Sequence, residues 1–161
     1  MITIRELADD DWALWRKLRL AALAGAPDAF ASTLAEWTGA GDAEVRWRAR
    51  LVSVPFNVVA DRDSRPIGMA SGTAPLDGEA QLISMWVAPE DRGCGVGEAL
   101  IEAVVRWARE KNANRIALEV RQSNERAIRF YLRNGFFDDG RSGGTDPAHP
   151  ERRMVRLFTP Q

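Results

Sequence analysis

The stretch from Glu90 to Glu110, EDRGCGVGEALIEAVVRWARE, has glycine at three alternate positions directly before a helical pattern. These glycines are Gly93, Gly95 and Gly97. Glycine lets the backbone turn tightly, and the first turn of a helix offers unpaired N–H groups at the positive end of the helix dipole. The stretch therefore predicts a turn that binds an anion.

The segments on either side of this turn predict a crossover unit. AQLISMWV reads as a strand that stops at Ala88-Pro89, because proline cannot continue a ladder of hydrogen bonds. Val96, Leu100 and Val104 repeat at helical spacing, and RIALEV then reads as another strand.

The remaining segments predict a mixed α/β fold in one domain, residues 1–161. ITIR reads as a first strand, the front third as mainly helical, and FNVVADRDSRPIGMASGTA as a hairpin. NERAIRFYLRNGF reads as a helix that Asn124 caps and Gly135 ends. FFDD and RRMVRLF predict two last strands, with a long mobile loop in DGRSGGTDPAHPE.

Composition excludes several classes of function. The chain has 161 residues, 45% of them hydrophobic, and a net charge of -1, so its overall charge gives no attraction to nucleic acid or an anionic membrane. The chain has one cysteine, Cys94, and one histidine, His149, which excludes a multi-cysteine site or a histidine cluster for a metal, and we expect no metal centre. The start, MITIRELADDDW, does not resemble a signal peptide, and we expect a cytoplasmic protein.

Two common phosphate motifs differ from this turn. A nucleoside-triphosphatase loop requires lysine and then serine or threonine after its last glycine, but Glu98 and Ala99 follow Gly97. A dinucleotide fingerprint requires glycine or alanine at position 98. Glu119 does lie near the distance at which that fingerprint places an acidic residue, so the dinucleotide interpretation stays open as an alternative.

The turn resembles the pyrophosphate motif of the GCN5-related N-acetyltransferases, R/Q-x-x-G-x-G/A, in the residues RGCGVG from Arg92 to Gly97. NERAIRFYLRNGF resembles that family's second motif, with Asn124 opening a helix and Tyr131 seven residues later. The two motifs occur in the family's order, separated by one strand, and cover residues 80–137.

The resemblance implies a mixed, mostly antiparallel sheet that is flanked by helices and splayed where acetyl-CoA binds. Acetyl-CoA is then expected between the strand that ends at Val87 and the strand from Arg115 to Val120. An exposed strand edge can bind the pantetheine amides as an added strand would. The implied cofactor-binding residues are Met85, Trp86, Val87 and Asn124 for pantetheine, Arg92, Gly93, Cys94, Gly95, Val96 and Gly97 for pyrophosphate, and Tyr131 near the thioester.

The resemblance also implies direct transfer of the acetyl group to an amine, without a metal. Tyr131 would protonate the departing thiolate, and we expect loss of its proton to depress the rate at high pH. Some members carry a glutamate base where this chain has Gln81. Glu79, two residues earlier on the same face, and Glu36 are the candidate bases in its place.

The sequence motifs define the acetyl donor, and the acceptor amine and the oligomeric state follow from other features. Aromatic and acidic residues in the front segment suit a small amine. A peptide or protein amine, or a module that binds acyl-CoA without turnover, are the alternatives. We expect a homodimer, with the last strand as an edge that could pair with a second copy.

Overall fold

Seven strands form one mixed sheet in the computed structural model, which describes residues 1–30 and 32–159. All neighbouring strands are antiparallel except the fourth and fifth, which are parallel. In chain order the strands are β1 (Ile2–Glu6), β2 (Phe56–Arg62), β3 (Arg65–Gly72), β4 (Glu79–Val87), β5 (Arg115–Arg121), β6 (Phe137–Gly143) and β7 (Glu151–Leu157). Their order across the sheet is β1-β2-β3-β4-β5-β7-β6.

Helices cover both faces of the sheet. They are α1 (Trp12–Gly25), α2 (Glu44–Ser53), α3 (Val96–Glu110) and α4 (Glu125–Arg133). On one face α3 buries Leu100, Ile101 and Val104 against the sheet, while α1 and α2 bury Trp15 and Trp47 on the other. The predicted mixed α/β fold, mostly antiparallel and flanked by helices, is confirmed.

The sheet opens between β4 and β5. The two strands pair only at their beginnings, where Glu79, Ala80 and Gln81 face residues 115–117. β4 then carries a bulge at Ser84, whose φ of 54° is unusual for a residue with a side chain. A bulge bends a strand and increases its twist, and this one lies where β4 leaves β5. The splay expected from the family resemblance is therefore present.

Three local predictions need correction. The last strand is not an edge, because β7 lies between β5 and β6, and the edge strand is β6. The loop before β7 is shorter than predicted, because residues 140–143 belong to β6. The front third is only partly helical, since its described residues between α1 and α2 form short 3-10 turns.

Candidate active site

A cavity of about 550 Å³ lies where β4 and β5 diverge. Its walls come from β4, β5, the turn before α3, one face of α4, and α1 with the segment that follows it. This volume falls within the range of small-molecule sites. Most of the residues that the sequence assigned to a cofactor lie along one side of this cavity.

The glycine turn presents unpaired N–H groups. Gly93 and Gly95 have φ of 79° and 87°, which residues with a side chain rarely adopt, and Gly95 is the N-cap of α3. In the described part of the chain, no backbone hydrogen bond uses the N–H groups of residues 93–98 as donors. These groups and the helix dipole together can hold an anion.

Gly97 serves a different purpose in the same turn. A Cβ atom built on Gly97 would lie 2.6 Å from the Phe130 ring, so glycine is required for α3 to pack this closely against α4. Gly93 and Gly97 line the cavity directly. Cys94 is exposed and Val96 is buried in the core, so these two residues contribute to the turn through their backbone.

Two arginines lie near the turn. Arg92 lines the cavity, and its Nε donates a hydrogen bond of 3.0 Å to the carbonyl oxygen of Val87. Arg126, in the first turn of α4, lines the cavity as well and was not predicted from the sequence. Burial, and then repulsion from Arg126, lower the pKa of Arg92. A polyanion between the two guanidinium groups would remove that repulsion.

One edge of β4 is open to the cavity. Trp86 and Val87 pair with β3 on one side, but β5 has already diverged on the other. Met85, Trp86 and Val87 all line the cavity, so their unpaired backbone groups can bind an extended ligand.

Asn124 caps α4 and also faces the cavity. Its Oδ1 accepts a hydrogen bond of 3.2 Å from the N–H of Ala127. Because the cap uses the side-chain oxygen, the amide N–H groups of Asn124 are left to donate to a ligand.

Tyr131 lies in the cavity wall with 9% of its surface exposed. Its ring meets Phe130 and Phe136 edge to face, at centroid distances of 5.4 and 5.6 Å. Burial raises the pKa of Tyr131 well above its ordinary value, with a smaller opposing effect of Arg126. The phenol therefore keeps its proton over the working pH range, and the predicted loss of rate through its ionisation at high pH is not expected.

The two candidate bases lie away from the residues that form the cavity wall. Glu79 sits where β4 still pairs with β5, and it accepts hydrogen bonds from Arg153 and, at 3.0 Å, from Arg115. The bond from Arg153, with help from Arg115, lowers the pKa of Glu79 and makes it a weaker base. Glu36 is exposed on a 3-10 turn, and neither carboxylate lines the cavity in the described structure.

A different acidic pair does line the cavity. Glu119 on β5 and Glu151 at the start of β7 lie on one face of the sheet, because Arg121 pairs with Glu151 and Glu119 with Arg153. Burial, and then repulsion from Glu119, raise the pKa of Glu151. No sequence signal identified this pair, since its two members are brought together only by strand register.

Two arginines on the opposite wall were also missed. Arg19 of α1 and Arg50 of α2 line the cavity, together with Phe30. A signal was available, since Arg19 falls on the apolar face defined by Trp15 and Leu23, and a charge on such a face is unusual.

The described residues include no group of three or more histidine, cysteine, aspartate or glutamate side chains that could hold a metal ion. Within the same residues, no helix has the length and apolar character needed to cross a membrane.

The sequence from residue 8 to residue 136 matches the Acetyltransferase (GNAT) family. The chain belongs to this family. As a GNAT protein it matches the structure of YncA from Salmonella typhimurium, a putative acetyltransferase solved with acetyl-CoA, with a TM-score of 0.76 and 18% identity. That match covers 100% of this chain and 96% of the other.

Curated relatives match about two thirds of this GNAT chain. The peptidyl-lysine N-acetyltransferase YjaB of Escherichia coli is 32% identical over 64% of this chain and 63% of its own length. The mycothiol acetyltransferase of Propionibacterium freudenreichii is 34% identical over 65% of this chain. The chain spans only 30% of that relative and less than two thirds of YjaB.

Proposed function

We propose that this chain transfers the acetyl group of acetyl-CoA directly to the primary amine of a small molecule. The observation that carries the proposal is the single cavity that joins the α3 turn, the open edge of β4 and the Tyr131 hydroxyl. Membership of the GNAT family gives this arrangement its chemistry.

The donor side of the cavity suits coenzyme A. The N–H groups of residues 93–98 and the side chains of Arg92 and Arg126 would hold the pyrophosphate. The free edge of β4 would bind the pantetheine amides, and the amide of Asn124 would bind the same arm.

Tyr131 is the general acid in this proposal. It would donate its phenolic proton to the departing thiolate sulfur while the acceptor nitrogen forms the new bond to the acetyl carbon. Its raised pKa means that the phenol holds this proton at every working pH, while it also makes the phenol a weaker acid, so position in the cavity wall is what supports the role.

A proton must also leave the acceptor ammonium, and Glu151 is the carboxyl group best suited to receive it. Glu151 lies in the cavity wall beside Glu119, and its raised pKa brings it closer to that of an effective base. Glu79 is a poorer choice because two arginines stabilise its charged form. Glu36 is a poorer choice because it is exposed outside the cavity.

The acceptor class follows from the lining of the cavity at the end formed by Arg19, Phe30 and Arg50. The aromatic ring of Phe30 and the two guanidinium groups there suit a small amine better than a long peptide. The second candidate is a peptide or protein amine, which the name of the relative YjaB favours, whereas the other relative is named for mycothiol. A cytoplasmic location, a single catalytic domain and a homodimer complete the proposal.

The test is release of coenzyme A from acetyl-CoA in the presence of a panel of small amines and of lysine peptides. Small amines should accelerate thiol release well above the rate of hydrolysis without an amine. Faster turnover of peptides would favour the second candidate. Tight binding of acetyl-CoA with no amine acetylated would instead indicate a module that binds acyl-CoA without turnover.

A further inference from the structure

Arg19 is a buried cation with an unpaired donor. Its side chain projects from α1 into the cavity wall, and the residue is only 9% exposed. Its Nη1 atom has no hydrogen-bond partner, and in the described part of the chain Arg19 forms no ion pair. Its guanidinium lies 4.5 Å from the centre of the Phe30 ring, which covers its flat face but leaves its N–H edge unsatisfied.

A second cation lies close to Arg19. Arg50 donates hydrogen bonds of 2.9, 3.2 and 3.0 Å to Asn57, Ser71 and Ser84, all of which are neutral. Burial, and then repulsion from Arg19, lower the pKa of Arg50 to about 10. Two guanidinium groups thus face one end of the cavity without a carboxylate bonded to either among the described residues. Proteins rarely bury a charge without a partner, so this end of the cavity lacks an anion that the ligand would supply.

The donor does not account for this pair. In the proposed function the coenzyme A pyrophosphate has its own arginines, Arg92 beside the α3 turn and Arg126 on α4. Arg19 and Arg50 belong to α1 and α2 instead. The acidic pair, Glu119 and Glu151, comes from β5 and β7, whereas Arg19 and Arg50 come from α1 and α2. The cavity therefore offers separate places for a positive and a negative group.

We propose that the acceptor amine carries a carboxylate, which binds Arg19 with support from Arg50 while its amino group faces the acidic pair. This inference rests on the proposed function and names the acceptor class for it: amino acids. Arg50 already uses three hydrogen bonds, so the donors left at this end are those of Arg19, which match the two oxygens of one planar carboxylate.

The experiment compares matched acceptors. A set of α- and ω-amino acids is assayed for coenzyme A release, each beside its primary amide and its decarboxylated amine. The acids should have the higher kcat/KM by roughly 10- to 100-fold, as expected for a charge-assisted hydrogen bond. Peptides with a free carboxylate are included, so that a free amino acid and a peptide carboxyl group can be distinguished.

Substitution then assigns the preference to Arg19. Arg19→Met keeps the length and apolar stem but removes the charge, and it should cut kcat/KM for the acids by about 10- to 100-fold while leaving the amides nearly unchanged. Arg19→Lys should restore part of the loss. Arg106→Met, on the exposed face of α3, is the matched control and should behave as wild type. Affinity for coenzyme A should be unchanged in all variants, and weaker binding in Arg19→Met would overturn the inference by assigning the pair to the donor.

A binding measurement decides the inference without turnover. N-acetyl amino acids and their amides are titrated calorimetrically into the wild type and Arg19→Met, each saturated with coenzyme A. Tighter binding of the acids that is lost in Arg19→Met supports the inference, even if no amine in the panel is acetylated. The absence of acetylation would refute the proposed function but not the carboxylate site. Equal binding or turnover of acids and amides would overturn the inference and leave the proposed function intact.

Discussion

The Tyr131 hydroxyl can be removed with little effect on packing. Tyr131→Phe keeps the ring, and with it the edge-to-face contacts to Phe130 and Phe136 at 5.4 and 5.6 Å. Each such pair contributes about 0.5–1.5 kcal/mol, and neither is lost. The hydroxyl makes no hydrogen bond with the part of the chain that the structure describes. We therefore expect the free energy of unfolding to change by less than about 0.5 kcal/mol, which is a Tm change of about 2 °C or less.

The rate should respond far more strongly than the stability. General acid catalysis contributes about 10²–10⁴-fold, and a thiolate is a tolerable leaving group, so the expected loss in kcat is near 10²-fold. That loss corresponds to about 2.7 kcal/mol of transition-state stabilisation. Binding of acetyl-CoA should not change, because the substitution leaves the α3 turn and the edge of β4 as they are.

The pH dependence gives an independent check. Because burial raises the pKa of Tyr131, its phenol stays protonated between about pH 6 and pH 10. The wild-type rate should rise with pH as the acceptor ammonium loses its proton, without a decline caused by Tyr131. The ratio of wild-type to Tyr131→Phe rates should therefore be constant across this range.

The measurements are kcat and KM from thiol release, calorimetry with acetyl-CoA and thermal unfolding. Tyr131→Ala is the comparison variant, since loss of the whole buried ring should cost about 3–5 kcal/mol and lower the Tm clearly. A Tyr131→Phe enzyme that turns over at the wild-type rate at every pH would refute the assignment as general acid. If Tyr131→Phe is inactive because it has unfolded, the role of Tyr131 is structural and not catalytic.

Three further predictions concern the turn, the base and the buried arginines. Gly95→Asp should weaken coenzyme A binding at least about 10-fold more than Gly95→Asn, which has the same shape and backbone strain without the charge; equal affinities by calorimetry would contradict the pyrophosphate site. Glu151→Gln should lower kcat/KM by about 10- to 100-fold and remove the part of the acidic fall in rate that Glu151 causes, which its raised pKa places above the range of an ordinary glutamate, so that only the fall caused by protonation of the acceptor amine is left; exposed Glu110→Gln is the control, and an unchanged pH profile would exclude Glu151. Arg50→Met should destabilise the protein by about 1–3 kcal/mol through lost buried hydrogen bonds, whereas Arg19→Met should not; equal thermal stability of the two variants would contradict this difference.

The donor side of the site could be predicted because its determinants are local. The positive φ of Gly93 and Gly95 and the N-cap at Asn124 depend on residues within one turn, and the sequence pattern identifies them directly. The strand, turn and helix around them follow from periodicity over a few residues. The same holds for the helix that ends before Gly135, where φ is 87°.

The acceptor side depends on contacts between distant parts of the chain. Glu79 was a reasonable candidate from its position on β4, but its partner Arg153 lies 74 residues away and becomes its neighbour only because β5 lies between β4 and β7. Glu119 and Glu151 meet through strand register in the same way. The predicted dimer edge failed for a related reason, since the last strand inserts into the sheet instead of closing it.

Arg50 connects the opening of the sheet to the acceptor end of the cavity. Its Nη2 donates to the Oγ of Ser84, the residue at which β4 bulges with a φ of 54°, and to the Oγ of Ser71 on β3. A residue with a side chain keeps a positive φ only when its surroundings impose it. The two hydrogen bonds from Arg50 connect β3 and β4, the strands whose register the bulge shifts. The same guanidinium lines the cavity beside Arg19, so an anion bound there would also stabilise the cation that holds the bulge. The gap that admits the donor thus depends on Arg50, and the proposed carboxylate site depends on Arg19 with Arg50 in support.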